Sequence, residues 1–390
     1  MAGHAWQAFS RDAGQQLSGG LPIIAAKGVR RHLGVDACEL VTPYTPDAYG
    51  RLAPGCGFVV QRDERQQVSC MVGGSRRIGW DAGSGDATIT VQGLGDDQHL
   101  ADRLTYPTPG AAPDAQVADY WQRTTVASSA MWQLIREQAG PGAQPGRRVP
   151  TLVMGEDPRV GASRLWQVQW APLLGTLTAW GALSGADLGV RVVTTADGLR
   201  ADIYAPRDLT ADVRFSASLR NLTGWEFEQL PPSVTFAINA GPGNLRNRVR
   251  RWAQSVSAAD LAWGRRIETL IDSRDEGSAV QLQQGAVDAI AEGIGTVSLS
   301  TETIDSPAMR YQVDWDLGDR VTVHVGLPAG QTAATVVDLV REVAFEVDSR
   351  GREKITPAVG TSDAKAIRPG PTQKALAKVA VGLARLTRNQ

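Results

Sequence analysis

Short runs of β-favouring residues, separated by turn-forming residues, dominate the first part of the chain. Four such runs lie at residues 38–42, 57–61, 67–72 and 87–92. Between them the chain is interrupted by prolines, by a Pro-Gly pair at 54–55 and by the sequence DAGSGD at 81–86. Runs of this length with such boundaries are typical of antiparallel strands joined by turns. We therefore predict a first β-rich, barrel-like domain over residues 1–106.

The hydrophobic period changes after residue 106. Apolar and small positions from Val117 to Ile135 recur every three or four residues, and the pattern stops at the sequence GPG at 140–142. This spacing predicts an amphipathic helix over residues 115–138.

The same region continues with a second helix and a hairpin. Residues 171–182 are predicted to be helical, and strands are expected over 189–194 and 199–204. The two strands meet at Asp197-Gly198, a favoured hairpin pair. Residues 107–231 are therefore predicted to form an α+β middle module.

Strand-like runs return after residue 231 and surround one more helical pattern. Strands are expected at residues 233–239, 266–271, 295–300, 319–325, 335–347 and 354–358. Val280, Val287 and Ile290 are apolar positions of a helix predicted over residues 278–292. We predict a second β-rich domain over residues 232–360 with this helix inserted. The expected fold class is mainly β, with two small barrel-like domains flanking the α+β module.

The last thirty residues differ from the rest in charge and pattern. Residues 361–390 contain six basic residues and one acid, and begin with a polar linker over 361–370. A helix over residues 373–388 would carry a narrow apolar stripe with the 3-4-3 spacing of a short bundle seam. The stripe consists of Leu376, Val379, Leu383 and Leu386. A helix this short is marginal in water, so the stripe is expected to pack against other copies, a neighbouring protein or its own subunit.

Composition narrows the class of protein. The chain has 42 glycines and 21 prolines among 390 residues, which favours a turn-rich β protein over a helical bundle. Its net charge is −1, so a global basic field for nucleic acid is absent and no sequence-specific nucleic-acid partner is expected. No 18-residue apolar window occurs, which predicts no membrane-spanning segment. The polar N-terminus likewise predicts no signal peptide and synthesis in a cytoplasm.

Residue types that carry catalysis or bind metal are sparse. The chain has four histidines and three cysteines, none in a metal-ligand spacing: His4, His32, His99, His324, Cys38, Cys56 and Cys70. The nucleophile elbow GxSxG and the phosphate loop GxxxxGK[ST] are both missing. We therefore expect no catalytic residue, no metal and no cofactor.

Two short motifs have plain structural explanations. The sequence AGPGNLR at 240–246 follows a predicted strand and could mimic a phosphate loop, but it lacks a third glycine, and a tight turn is the better interpretation. Asp314-Trp315-Asp316 resembles the DxD motif that binds metal-bound sugar nucleotides. Because it precedes Gly318-Asp319, we interpret it as a turn that leads into a strand.

Acids and tryptophans leave a carbohydrate-active function open. Two acidic groups could supply a glycosidase pair, namely Glu226 with Glu228, and Asp272 with Asp275 and Glu276. Such a pair must face a cleft from opposite sides, which the sequence does not indicate. Eleven tryptophans could form a sugar platform, although core or interface packing is the simpler role. A cell-wall hydrolase or a sugar-binding tail protein is therefore the alternative from another functional class.

One string resembles a known family. Residues 89–107, ITVQGLGDDQHLADRLTYP, are similar to the GxDD…LxxRLxYP segment of a minor tail protein family of long-tailed actinobacteriophages. Further similar segments follow in the family's order, including YAPRD at 204–208, WGRRIE at 263–268 and LGDRVTV at 317–323. The resemblance covers roughly residues 35–345.

The resemblance implies a baseplate hub at the tail tip of a virion. Such hubs are trimers on the tail axis, in which two β-barrel domains per subunit form a pseudo-sixfold ring that continues the tail tube. The implied function is to close the tube until DNA ejection and to connect it to the host-recognition parts. The implied partners are the distal tail ring protein, the tape measure protein, tail fibre or receptor-binding proteins and the bacterial cell surface. The family has no shared catalytic residues, so the implied protein is not an enzyme.

A hub of a contractile injection particle is a second possibility, since it uses the same ring. In either ring, we expect arginine-rich stretches at subunit or channel surfaces, because guanidinium groups bridge carboxylates with two parallel hydrogen bonds. The candidate residues are Arg246, Arg248, Arg250 and Arg251. A solvated turn is the alternative for this stretch.

Overall fold

Most of the chain is built around one large β-sheet. A computed structural model describes residues 4–12, 17–83, 85–243, 247–274, 278–293, 296–303, 309–326 and 334–360. The predicted C-terminal helix with its stripe, Leu376, Val379, Leu383 and Leu386, lies outside the described residues, as does Arg246. None of the helices within the described ranges is both long and apolar enough to cross a membrane.

The described residues of the first part of the chain form eight strands and two short helices. They are β1 (Trp6–Arg11), β2 (Leu17–Leu21), β3 (Ala25–Arg31), β4 (Ala37–Pro43), α1 (Pro46–Arg51), β5 (Gly57–Arg62), β6 (Arg65–Met71), β7 (Arg76–Trp80), β8 (Ala87–Gly95) and α2 (Gln98–Ala101). The four strands predicted in this part are confirmed. In β4, for example, Cys38, Leu40 and Thr42 are buried and alternate with partly exposed residues, as the strand period requires.

The middle of the chain is α+β and has its own core. It consists of β9 (Trp121–Val126), α3 (Ala127–Gln138), β10 (Leu152–Met154), β11 (Ser163–Val168), α4 (Leu173–Leu183), β12 (Gly189–Thr195) and β13 (Gly198–Tyr204). The second predicted helix and the hairpin are confirmed. The core contains three packed indole rings, with Trp180 lying 5.8 Å from Trp121 and 5.2 Å from Trp166 between ring centroids.

The helix predicted over residues 115–138 is wrong in its first part, where a strand precedes the helix. β9 pairs antiparallel with β11 and places Trp121 opposite Val168. Thr124, Thr125 and Val126 are β-branched and favour a strand over a helix. The apolar positions that suggested one continuous helix therefore belong to two consecutive elements.

In the described residues after Tyr204, the chain adds nine strands and two helices. They are β14 (Arg214–Ser216), β15 (Leu222–Leu230), β16 (Phe236–Ala240), β17 (Arg250–Gln254), α5 (Ala258–Leu261), β18 (Glu268–Asp272), α6 (Ala279–Glu292), β19 (Thr296–Thr303), β20 (Arg320–Val325), β21 (Ala334–Asp348) and β22 (Glu353–Gly360). The six strands and the inserted helix predicted after residue 231 are confirmed, with boundaries shifted by a few residues.

The two β-rich parts join in a single 14-stranded sheet. Its strands follow the order β15-β19-β22-β21-β3-β4-β8-β6-β5-β1-β2, with β7 beside β8, β20 beside β21 and β14 beside β20. We call β1–β8 the N-terminal half of the sheet and β14, β15 and β19–β22 its C-terminal half. In the described residues the strand path ends at β15 and β2, so it is not a closed barrel.

The halves meet where β3 pairs antiparallel with β21, with Arg31 opposite Glu342. Gly28 lies opposite Phe345 in this pair, and a Cβ at Gly28 would approach the Phe345 ring to 2.6 Å. The absence of a side chain at this position therefore lets the Phe345 ring pack across β3. One hydrophobic core runs through both halves and includes Phe58, Ile89, Val323 and Phe345. The N-terminal and C-terminal parts thus fold as one packed body.

Candidate assembly face

A small α/β unit between β15 and β19 carries most of the predicted arginines. Its sheet has the order β17-β16-β18, and α6 packs on one side of it. Ala237 and Asn239 of β16 are buried on that side. Gly285 allows α6 to approach closely, because a Cβ there would lie 2.5 Å from Asn239 Nδ2. The other side of the sheet is not covered by α6.

The uncovered side carries an apolar row across all three strands. Strand alternation and register place nine residues on it, which we call the arginine–tryptophan face: Phe236, Ile238, Ala240, Arg250, Trp252, Gln254, Glu268, Leu270 and Asp272. Ile238 lies opposite both Trp252 and Leu270. Trp252 is 58% exposed and Leu270 is 63% exposed. Large apolar side chains that remain this exposed and lie side by side are typical of an interaction surface.

The Trp252 side chain is held in place by its neighbours. Its indole stacks on the Phe236 ring, with centroids 5.3 Å apart and planes inclined by 18°. The Arg266 guanidinium lies 3.9 Å from the Phe236 centroid, and its Nε donates a hydrogen bond to Glu268 Oε1 at 2.6 Å. An aromatic side chain fixed in this way loses little conformational entropy on binding, which is the property of an interface anchor.

The predicted arginines have three different roles. Arg248 clamps the turn before β17, since its guanidinium donates to the carbonyls of Gly241 and Ala240 at 2.7 and 2.9 Å and also pairs with Asp272. The hydrogen bond from Arg248 is the largest of the effects that lower the pKa of Asp272. Arg251 lies on the helix side of β17. Arg250 is thus the member of the predicted set that the described structure places on the open face, while Arg246 lies outside the described residues.

Sequence reasoning missed the apolar members of this face. Within β17 and β18 the exposed positions alternate with partly buried ones, so that Trp252 lies on the same side as Arg250, and Leu270 on the same side as Asp272. An apolar residue that lies two positions from a charged residue in a strand shares its side of the sheet. That pattern is the signal that could have identified an exposed apolar row.

A polar cavity of about 230 Å³ lies where three parts of the chain meet. Arg30 on its wall donates hydrogen bonds to Tyr311 Oη at 2.6 Å and to Asp316 Oδ1 at 2.7 Å. Asp97 accepts a hydrogen bond from the Val192 backbone amide at 2.8 Å. These contacts link the first β-rich part both to the C-terminal part and to the middle module.

The carboxyl groups in and near this cavity have raised pKa values. Burial is the largest cause for each of Asp36, Asp96 and Asp97, and it raises the pKa of Asp36 and of Asp96 to about 6. Asp96 accepts hydrogen bonds from Arg11 and Ser69, which oppose this increase. The cluster acts as a buried polar junction between the modules.

The histidines do not converge on one site. His32 is buried, and its ring contacts Tyr204 Oη at 2.8 Å and the Asp187 carbonyl oxygen at 3.1 Å. Burial lowers the pKa of His32 to about 4, so this imidazole is neutral at pH 7. His4 pairs with Asp63, and His324 contacts Thr335.

Two of the cysteines are buried in the core, and the described residues form no metal-binding cluster. Cys38 and Cys70 are buried, which raises the pKa of both thiols and keeps them protonated. Across the described ranges, no three His, Cys, Asp or Glu residues are grouped closely enough to bind a metal ion.

The DxD-like motif forms a turn in the structure. Trp315 is buried between the rings of Tyr311 and Phe215, and Asp316 pairs with Arg30. Gly318 follows with a φ of 87°, a conformation that favours glycine, directly before β20. The interpretation of residues 314–316 as a strand-entry turn is confirmed. Gly243 has a φ of 117° and lies in the connection from β16 to β17, while residues 244–246 of the AGPGNLR sequence lie outside the described residues.

The candidate glycosidase acids are not assembled into a site by the described contacts. Asp272 binds Arg248 and Arg274, while Glu226 and Glu228 belong to the ladder between β15 and β19. Asp275 and Glu276 lie outside the described residues. Four tryptophans are buried in the cores: Trp121, Trp166, Trp180 and Trp315.

Comparison with protein families gives one match. The family model described as Siphovirus ReqiPepy6 Gp37-like protein matches residues 24–361. No curated protein sequence gives a significant match to the chain.

Three solved structures share the fold at low sequence identity. A tail protein from Neisseria meningitidis MC58 is 13% identical, with a TM-score of 0.56 over 92% of this chain and 97% of that one. The 43 kDa tail protein of prophage MuSo2 from Shewanella oneidensis is 13% identical, with a TM-score of 0.53 over 91% and 98% of the two chains. Prophage tail protein gp18 from Listeria monocytogenes EGD-e is 11% identical, with a TM-score of 0.51 over 98% and 99%. The architecture is therefore similar to that of phage tail proteins over nearly its whole length.

Proposed function

The chain belongs to the Siphovirus ReqiPepy6 Gp37-like protein family, and on that basis we propose that it is the baseplate hub at the tail tip of a long-tailed phage. A structural role in the phage tail follows from the family and agrees with the fold shared with other tail proteins. The hub position and the trimer are our proposal.

The observation that carries the proposal is the joining of two β-rich halves through β3 and β21 in one sheet. Three copies of a subunit with two such halves would present six β units around an axis. That number would match a sixfold tail tube. Each half would then form one barrel-like wall segment of the ring, and the continuous core would hold the two segments of a subunit at a fixed angle.

The strength of the joint between the halves supports a mechanical role. Arg62 of β5 is buried and donates hydrogen bonds to both Glu353 carboxylate oxygens of β22, at 2.7 and 2.9 Å. Trp6 Nε1 of β1 donates to the same carboxylate at 2.8 Å. Charge-assisted bonds between the halves resist their separation, which suits a ring that must stay closed until DNA ejection.

The proposed partners follow from the position at the tip. One face of the ring would contact the distal tail ring protein and the tape measure protein. The other would contact tail fibres or receptor-binding proteins, which engage the bacterial cell surface. The C-terminal stripe Leu376, Val379, Leu383 and Leu386 would pack within the ring or against one of these neighbours. We propose a structural role without catalysis, so a zymogram on host cell walls should show no cleared band.

The family is named after a siphovirus, which favours a long-tailed phage over a contractile injection particle. The test is gold labelling of intact virions with antibodies against the chain, with antibodies against the major tail tube protein as the control. We expect gold at the tail end distal to the head. Gold along the tube, on the capsid or on no part of the virion would overturn the proposal.

A further inference from the structure

A second apolar surface projects from the N-terminal half of the sheet. β7 pairs only with the first part of β8 in the described sheet, and Ile78 lies opposite Ile89. Ile89 is fully buried, whereas Ile78 is 48% exposed and Trp80, further along the hairpin, is 69% exposed. Ile78 and Trp80 therefore lie on the same side of the sheet as the buried Ile89, but no other described part of their own subunit buries them.

Arg76 is the last residue of β7 that the described contacts attach to the rest of its own subunit before the hairpin tip. Its Nη1 donates hydrogen bonds to the carbonyls of Tyr49 and Leu52 at 2.8 and 3.2 Å, and its guanidinium lies 3.7 Å from the Tyr49 ring centroid. Tyr49 belongs to α1 and Leu52 follows it, so this part of the hairpin is clamped to the subunit. Ile78 and Trp80 lie beyond the clamp.

The tip of this hairpin is acidic. Residues 78–90 contain Asp81 and Asp86 and no lysine or arginine. Asp81 organises the turn, since its carboxylate accepts from the Gly83 amide at 2.8 Å and its carbonyl accepts from the Gly85 amide at 2.8 Å. The turn therefore presents two carboxylates beside an exposed indole in a defined shape.

The arginine–tryptophan face has the opposite charge around a similar apolar centre. Glu268 pairs with Arg266, and Asp272 pairs with both Arg248 and Arg274. Together with Arg250, four arginines therefore lie on or beside this face, against two carboxylates. The connection from β17 to β18 carries three more exposed apolar residues, Val256, Leu261 and Trp263. An apolar centre with a basic rim fits an apolar centre with acidic neighbours.

These two surfaces lie in different parts of one chain, and we infer that the β7–β8 hairpin tip of one copy docks on the arginine–tryptophan face of the next copy. Two complementary but different surfaces make a head-to-tail contact, and such a contact closes into a ring when the rotation from one copy to the next is an exact fraction of a full turn. The inference rests on the proposed ring, for which it names the contact. In the docked state Trp80 packs on the row formed by Trp252, Ile238 and Leu270, while Asp81 and Asp86 face the arginine rim.

The first test measures self-association of the full chain by sedimentation velocity over a range of concentrations. Trp80→Ala and Trp252→Ala are expected to weaken assembly roughly tenfold or more, because aromatic anchors dominate interface energies. Trp170→Ala is the matched control, because Trp170 is also exposed but lies in the middle module. It should assemble as the wild type does. Circular dichroism on each variant verifies folding, which these exposed positions should not disturb.

A charge exchange tests the pairing directly. Asp86→Arg alone and Arg250→Glu alone should each weaken assembly, and the double variant should recover at least part of the loss. If the wild type forms a trimer and the variants assemble equally well, or if the double variant shows no recovery, the inferred contact is wrong while the ring stands. If the wild type stays monomeric throughout, the proposed ring fails and this contact fails with it.

Discussion

Arg31 of β3 donates a hydrogen bond from Nε to Glu342 Oε1 of β21 at 3.0 Å, and the two residues face each other where the halves of the sheet meet. The Glu342 side chain is 9% exposed and that of Arg31 is 31% exposed, so the carboxylate is shielded from water while the guanidinium is partly exposed. The residues are 311 positions apart in the chain. The joint between the first and last parts of the protein therefore has a charged pair at its edge.

Weakening this pair should destabilise the joint. We expect Glu342→Gln to lower the free energy of unfolding by about 1–2 kcal/mol, because a shielded charge-assisted hydrogen bond becomes a neutral one. Glu346→Gln on the same strand is the control, because Glu346 is exposed, and its loss should be close to zero. Urea unfolding of both variants provides the measurement. Equal losses would show that the Arg31–Glu342 pair has no special role.

The close packing at Gly28 gives a second prediction. A Cβ at this position would lie 2.6 Å from the Phe345 ring and 2.9 Å from the Ala37 carbonyl oxygen. Gly28→Ala should therefore destabilise the protein by about 1–3 kcal/mol through overpacking at the joint. Gly50→Ala, in α1 with no atom within 4 Å of its Cβ, should be neutral or stabilising by up to about 1 kcal/mol. The measurement is the thermal unfolding of both variants. If Gly28→Ala is as stable as the wild type, the close packing of Gly28 against Phe345 is contradicted.

His32 should make stability depend on pH in a defined direction. Its pKa falls from 6.5 in the unfolded chain to about 4 in the folded protein, because it is buried near Arg341. The folded state thus binds fewer protons between pH 4 and 6.5, so stability is highest above pH 6.5 and decreases as pH falls through this window. Neighbouring Asp187 opposes the shift only in part.

The measurement is urea unfolding of wild type and His32→Gln at pH 7.5 and 5.0. The wild type should lose about 2 kcal/mol more than the variant between these two values. The variant is needed because Asp36 and Asp96, with pKa values raised to about 6, change stability in the opposite direction over the same window. Equal losses in both proteins would exclude a buried neutral His32 as the cause.

The C-terminal stripe gives a prediction from the sequence alone. Leu376→Asp combined with Leu383→Asp places charge on the expected apolar seam and should reduce trimer formation and incorporation into virions. Asn389→Asp, beyond the expected helix, is the control with the same type of charge change. Sedimentation of the full chain and quantification of the protein in purified virions are the readouts. Normal trimers and normal incorporation would mean that the stripe is not an assembly element.

Local pattern predicted most individual elements but not how they associate. The strands in both β-rich parts and helix α6 can be predicted from the sequence, because each has a clear hydrophobic period and turn residues at its ends. β9 was mistaken for helix because Trp121 and Thr124 lie three residues apart, a spacing that fits a helix when read without the β11 pairing partner. The pairing of β3 with β21 cannot be predicted from the sequence, since nothing in either strand specifies a partner more than 300 residues away.

The candidate face was predicted only through its charge. The arginines around residue 250 identified the right part of the chain, but their roles depend on which side of β17 each one occupies. The turn fixes Arg248 on backbone carbonyls, and strand alternation separates Arg250 from Arg251. The apolar row of Trp252, Ile238 and Leu270 requires the register of three strands, one of them parallel, which the sequence does not reveal.

The most direct test of the tail-tip assignment is a cryo-EM reconstruction of the tail tip of a virion that contains this chain. The account predicts three copies around the tail axis, with the N-terminal and C-terminal halves of each sheet alternating in a ring of six units against the tail tube. It also predicts the 76–91 hairpin of each copy near residues 236–272 of the next. A reconstruction in which the chain lies away from the axis, or is present in a number other than three, would contradict it.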